Sequence, residues 1–177
     1  MSQRISNCSS GIGVDFYWRE TQSKSRQDHL DAAVDEIYGA LQAPTRRWNR
    51  FSTISARGDI RALLIKATEG KLEPIKHVKS LRNGVGDLFE IRWQHLAVCD
   101  QTENGLVYGS ALARLIHIEP IEASVGFIGI LAFEKDRSAE GKNFKMIRLT
   151  GPRPTQCLVR KLTGESRSVS CGTNFLI

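Results

Sequence analysis

Residues 127–133 read F-I-G-I-L-A-F, one glycine among six apolar side chains. A strand of that composition has no face to give to water, so it suits the interior of a sheet covered on both sides. The run at 125–133 therefore demands neighbouring strands and a covering layer. Three other stretches supply strand pattern: 13–18, rich in β-branched and aromatic residues, then 88–93 and 106–118. Alternation is strict at 88–93, with Phe89, Ile91 and Trp93 on one face and Leu88, Glu90 and Arg92 on the other. The aromatic face is expected to meet helices, leaving Arg92 on the open face.

Two helices are predicted to form the cover. Leu30, Val34, Ile37 and Leu41 recur at helical spacing within 28–41, where Asp28 is a candidate cap and Pro44 marks the end. Ile60, Leu63, Leu64 and Ala67 form a second stripe within 59–72, with Asp59 to cap it and Gly70 and Pro74 to stop it. Short turns between the later strands favour antiparallel pairing. The expected fold class is α+β: an N-terminal strand, two helices, then a three- to four-stranded antiparallel sheet. Residues 1–12, polar and rich in Ser and Gly, are expected to be a flexible N-terminus and 13–135 the folded domain. Residues 136–177 read as an irregular, loosely ordered basic tail with a short helix or strand near 144–149.

A length of 177 residues with 41% hydrophobic composition suffices for one domain with its own core. No apolar run approaches the roughly 18 residues of a membrane span, and the first ten residues carry no apolar secretory segment. A cytoplasmic protein without a membrane partner is expected. The net charge of +6 points to a polyanion, but residues 136–177 hold eight Lys/Arg against three Asp/Glu, leaving 17 against 16 elsewhere. A nucleic-acid site in the body must therefore rest on local clustering. Cys8, Cys99, Cys157 and Cys171 are dispersed with no C-x-x-C pair, and His29, His77, His95 and His117 lie in no H-E-x-x-H setting. Reduced thiols, no metal and no cofactor are expected.

The clustering occurs at 76–93, K-H-V-K-S-L-R-N-G-V-G-D-L-F-E-I-R-W. Lys76, His77 and Lys79 precede the strand that carries Arg92, and the next strand brings Arg114. Positive side chains delivered by separate elements can surround a phosphodiester and stabilise the charge added in its transition state. Glu90 lies two residues from Arg92 on the same face, so a structural ion pair is the alternative reading. His77 and Lys79 are equally open to a reading as solvated turn residues. A second basic stretch, 43–58, interleaves Arg46, Arg47 and Arg50 with Trp48 and Phe51 and holds no acid. It reads either as a platform for RNA backbone and bases or as a solvated loop whose aromatics pack inward. His117 and Lys135 are further candidate RNA contacts, alternatively a packed histidine and a strand-end lysine.

Taken in order, K-H-V-K-S-L at 76–81, L-F-E-I-R at 88–92, A-R-L-I at 113–116 and F-E-K at 133–135 resemble the RelE/ParE toxin superfamily, most of all its HigB-like, phage-derived branch. The motifs are short, their order and spacing carry the likeness, and it spans residues 13–135. The resemblance implies a RelE-like toxin of a type II toxin-antitoxin pair. Its implied partners are a cognate antitoxin, messenger RNA and the ribosome, and its implied activity is ribosome-dependent messenger-RNA cleavage. At the matching positions it implies catalytic roles for His77, Lys79, Arg92 and Arg114, with Lys76 as an RNA contact. The ribose 2′-hydroxyl would attack the adjacent phosphate, with His77 suited to move a proton and the arginines to stabilise charge. The chain departs from the pattern in a long connection between the helices, no helix after the last strand and no tyrosine near 133–135. The alternatives are a non-enzymatic ParE-like inhibitor of DNA gyrase and a catalytically inactive nucleic-acid-binding module.

Overall fold

The computed structural model describes residues 5–19, 21–22, 25–81, 88–120 and 126–135. The chain divides into two units, 1–141 and 142–177, and every described element belongs to the first. A 3-10 turn at Asn7–Ser9 precedes β1 (Asp15–Trp18), α1 (Arg26–Ala40), α2 (Arg50–Thr68), β2 (Val78–Ser80), β3 (Leu88–Thr102), β4 (Gly105–Ile118) and β5 (Gly126–Glu134). The fold is α+β, with two helices and one five-stranded sheet in the order β1-β5-β4-β3-β2. The expected tail, with its element near 144–149, lies outside the described residues. No described helix is long and apolar enough to cross a membrane.

Both helices begin earlier than the apolar stripes indicate. Ser25 stands at the extended N-cap of α1, and Asp28 falls in the first turn, where its charge suits the helix dipole instead of capping. The second helix starts at Arg50 rather than near Asp59. Asn49 Oδ1 accepts from Ser52 N at 2.8 Å and Ser52 Oγ accepts from Asn49 N at 3.0 Å, a reciprocal capping box. Phe51 and Ile54 in these first turns are 83% and 63% exposed, so they add nothing to the buried stripe and hide the start of the helix. The connection between the helices shortens accordingly to residues 41–49.

The sheet is mixed, which corrects the expectation of purely antiparallel pairing. Strands β2 through β5 pair antiparallel, but β1 lies parallel beside β5, with Phe16 opposite Phe127 and Trp18 opposite Gly129. The reason is the apolar run itself: β5 needs partners on both edges, and β4 supplies only one. Gly129 is required there, because a Cβ at this position would lie 2.5 Å from the Trp18 indole. Residues 78–80, read as part of a basic turn, add the fifth strand.

Strand β3 also runs past Trp93, where the strict alternation stops. A register shift between Trp93 and Leu96 inserts an extra residue, after which Leu96 and Val98 again face the core. Leu30, Val34 and Ile37 from α1 and Ile60 and Leu64 from α2 share one buried cluster with Phe16, Phe89, Ile91, Trp93, Leu115 and Phe127. Burying each such side chain stabilises the fold by about 1.5–3 kcal/mol. The helices therefore cover one face of the sheet, and the other face carries the charged register rows.

Candidate phosphate-binding site

Two register rows on that second face hold the predicted charges. Lys79 pairs with Glu90, which pairs with Ile116, and in the next row Arg92 pairs with Arg114. Glu90 Oε1 stands 2.5 Å from Arg92 Nε and 3.7 Å from Arg114 Nε, so one carboxylate lies between two guanidiniums. The ion pair between Glu90 and Arg92 that the sequence left open is thus present. Arg114 Nη1 also donates to Trp93 O at 3.1 Å and to Ala113 O at 2.8 Å, fixing its plane. Burial lowers the Arg114 pKa, with Glu90 opposing the shift, and the group remains a cation at neutral pH. Lys79 is exposed in the neighbouring row, so among the described residues three cations and one carboxylate share these two rows.

The basic turn is strapped to the edge of β3. Arg92 N donates to His77 O at 2.8 Å, Arg92 Nη1 to Ile75 O at 3.2 Å, and the Gln94 amide to Lys76 O at 2.8 Å. Ile75, which holds this strap, has φ of 69°, a left-handed conformation costly for a β-branched residue. Lys76 Nζ is paired with Glu73 at 2.9 Å. The Glu73 N–H donates to His77 Nδ1 at 3.3 Å, which assigns the ring hydrogen to Nε2 and makes Nε2–H a donor. Burial lowers the His77 pKa, Glu73 opposes this, and Lys76 reinforces it, so the ring is neutral near pH 7.

The remaining predicted contacts do not join this site. Arg46 is a buried clamp: Nε meets Asp100 Oδ1 at 3.1 Å, Nη1 meets Glu134 Oε2 at 2.8 Å, and the side chain is 8% exposed. Burial alone would lower its pKa, but the hydrogen bonds from Glu134 and Asp100 outweigh this and raise it. It ties the helix connection to β3 and β5 and offers no free cation to RNA. Arg47 and Arg50 are exposed, Phe51 with them, while Trp48 packs 5.0 Å from Tyr38. Lys135 is exposed at the end of β5, and its N–H donates to Leu112 O at 2.7 Å.

His117 is 0% exposed, which removes it as a surface contact for RNA. Its ring lies between Phe89 at 5.7 Å and Phe127 at 5.0 Å, and Nε2 is 3.0 Å from Glu119 Oε1. Burial would raise the Glu119 pKa, but the hydrogen bonds from His117, Ser6 and Asn7 prevail and lower it. Cys8 Sγ stands 3.8 Å from the same ring nitrogen, across 109 residues of sequence. Ser6 Oγ donates to Glu119 Oε1 and Asn7 N donates to Glu119 Oε2 at 2.8 Å, so residues 6–8 are packed in place where a flexible N-terminus was expected. Nothing in the spacing of the cysteines or histidines signals this cluster, because it forms only when the chain's start meets the end of β4. No family model, curated protein or solved structure matches this chain.

Proposed function

We propose that this chain is an RNA-cleaving toxin of the RelE/ParE kind, with Arg92 meeting the phosphate and the buried Arg114 fixing Glu90 behind it. The observation that supports this is the pair of register-matched guanidiniums around Glu90, with Lys79 in the adjoining row. A planar guanidinium fixed by the sheet can take the non-bridging oxygens of a scissile phosphate and hold the charge that builds on them. Glu90 takes the proton of the ribose 2′-hydroxyl, the bond from O2′ to phosphorus forms as the bond to O5′ breaks, and the ammonium of Lys79, opposite Glu90 in the register, protonates the leaving oxygen. The products are a 2′,3′-cyclic phosphate and a free 5′-hydroxyl. A cognate antitoxin that silences this activity would be acidic and cover the Lys79 and Arg92 face.

A non-enzymatic reading is favoured by one feature: His77 is neutral and its Nδ1 lone pair is taken by the Glu73 N–H, so it serves neither as base nor as acid. Controlled expression of the wild type, the Arg92→Ala/Arg114→Ala double variant and Glu90→Gln separates the two, with circular dichroism confirming each fold. The proposed activity gives growth arrest and new 5′-hydroxyl ends inside translated frames for the wild type alone. Cleavage by Glu90→Gln should fall by about 10²-fold or more. Arrest without new ends would assign the protein to a gyrase-type or other non-cleaving inhibitor, and the absence of toxicity would leave a nucleic-acid-binding module.

A further inference from the structure

We infer that Cys8, His117 and Glu119 form a buried structural site for one divalent transition-metal ion, with zinc the best match. The thiol, ring nitrogen and carboxylate oxygen of these residues all lie within 4.8 Å of one another, and each residue is 0% exposed. Ligand atoms around a tetrahedral zinc stand about 3.3–3.6 Å apart, given metal distances of about 2.0–2.3 Å. The observed 3.8 Å from Cys8 Sγ to His117 Nε2 and 3.0 Å from that nitrogen to Glu119 Oε1 bracket this range, and the thiol and carboxylate, within 4.8 Å, draw together when the ion binds.

Convergence of a thiol, an imidazole and a carboxylate in one buried cluster is what points to a metal. Nε2 has either one hydrogen or one lone pair, so a proton can join it to the thiol or to the carboxylate but not to both. A cation on the lone-pair axis joins all three. A thiolate and a carboxylate also bring two negative charges to the ion in a buried site. Binding releases the Cys8 thiol proton and moves the imidazole proton to His117 Nδ1, a buried atom without a hydrogen-bond partner. The carboxylate is already oriented by its neighbours, with Asn7 N holding Oε2 and Ser6 Oγ bonded to Oε1. A fourth position falls to Ser6 Oγ or to a water. Thiolate, imidazole and carboxylate together select zinc over magnesium or calcium, which take oxygen ligands.

The full-length chain, stripped with chelator and titrated with zinc and with cobalt, tests this. One zinc per chain is expected by elemental mass spectrometry, with a thiolate-to-cobalt charge-transfer band on cobalt substitution. Zinc at a hundredfold over Kd should raise the melting temperature by about 5–10 °C. Cys8→Ser and Glu119→Gln should each weaken binding at least tenfold, whereas Cys99→Ser and the Cys157→Ser/Cys171→Ser pair should keep it. Absence of the cobalt band and of any zinc-dependent melting shift in the wild type would overturn the assignment, a result that needs no variant to fold. Binding undiminished in both Cys8→Ser and Glu119→Gln would overturn it as well, by moving the metal to other ligands.

Discussion

His77 shows how much a single side chain's role depends on its neighbours. Burial holds its pKa below the usual value in the folded chain. Between the folded value and about 6.5 the unfolded chain binds more protons, so this group's contribution is fully present above pH 6.5 and is lost as pH falls through the folded pKa. Replacing it with His77→Gln should flatten the fall in urea midpoint between pH 7 and pH 5. An unchanged slope would place the acid sensitivity elsewhere. Charged residues were visible in the sequence, but pairings between distant elements were not. Arg46 reads as an RNA contact in the acid-free stretch 43–58, because the acids that neutralise it, Asp100 and Glu134, arrive from β3 and β5. The Arg92 and Glu90 pairing was legible, since period-two alternation puts both on one face.

Elements were legible where burial wrote their pattern and hidden where capping did. The stripe of Ile60 and Leu64 gives the body of α2, but its first turns rest on Asn49 and Ser52 and carry no acid in the first turn. Asn49→Ala should cost about 1 kcal/mol by stranding the Ser52 N–H. For a chain of this size the melting temperature should drop by about 2–4 °C, and a drop well under 1 °C would mean the box adds nothing. In β3 the extra residue between Trp93 and Leu96 broke the alternation that signals a strand, so the pattern seemed to end half-way along it. The three residues of β2 pair only with 89–91 of β3, and the helix connection takes the outer half of that edge: Arg47 N donates to Cys99 O and Gln101 N to Thr45 O, both at 2.7 Å. That contact turns a connection read as a possible RNA platform into a brace for the sheet.

For the molecule as a whole, the sheet is held together where its first and last strands meet. Trp18 fills the space that Gly129 leaves, and its indole would collide with any side chain there. Gly129→Ala should therefore destabilise the fold by about 1–3 kcal/mol, readable as a lower urea midpoint with the urea dependence unchanged. A neutral result would mean that the indole moves aside at no cost. The layer class followed from the order of periodic segments, but the parallel place of β1 did not, since local pattern does not specify which distant strand completes an edge. The metal cluster was illegible for the same reason. During synthesis this has a further effect: β1 leaves the ribosome before the other described strands, and β5, the strand it joins, is made after them. Phe16 and Trp18 wait as exposed aromatics on an unpaired ribbon, and any message cut or stalled before codon 126 yields a product with an open sheet edge. Such fragments invite aggregation and proteolysis, so quality control of this chain is decided at β5.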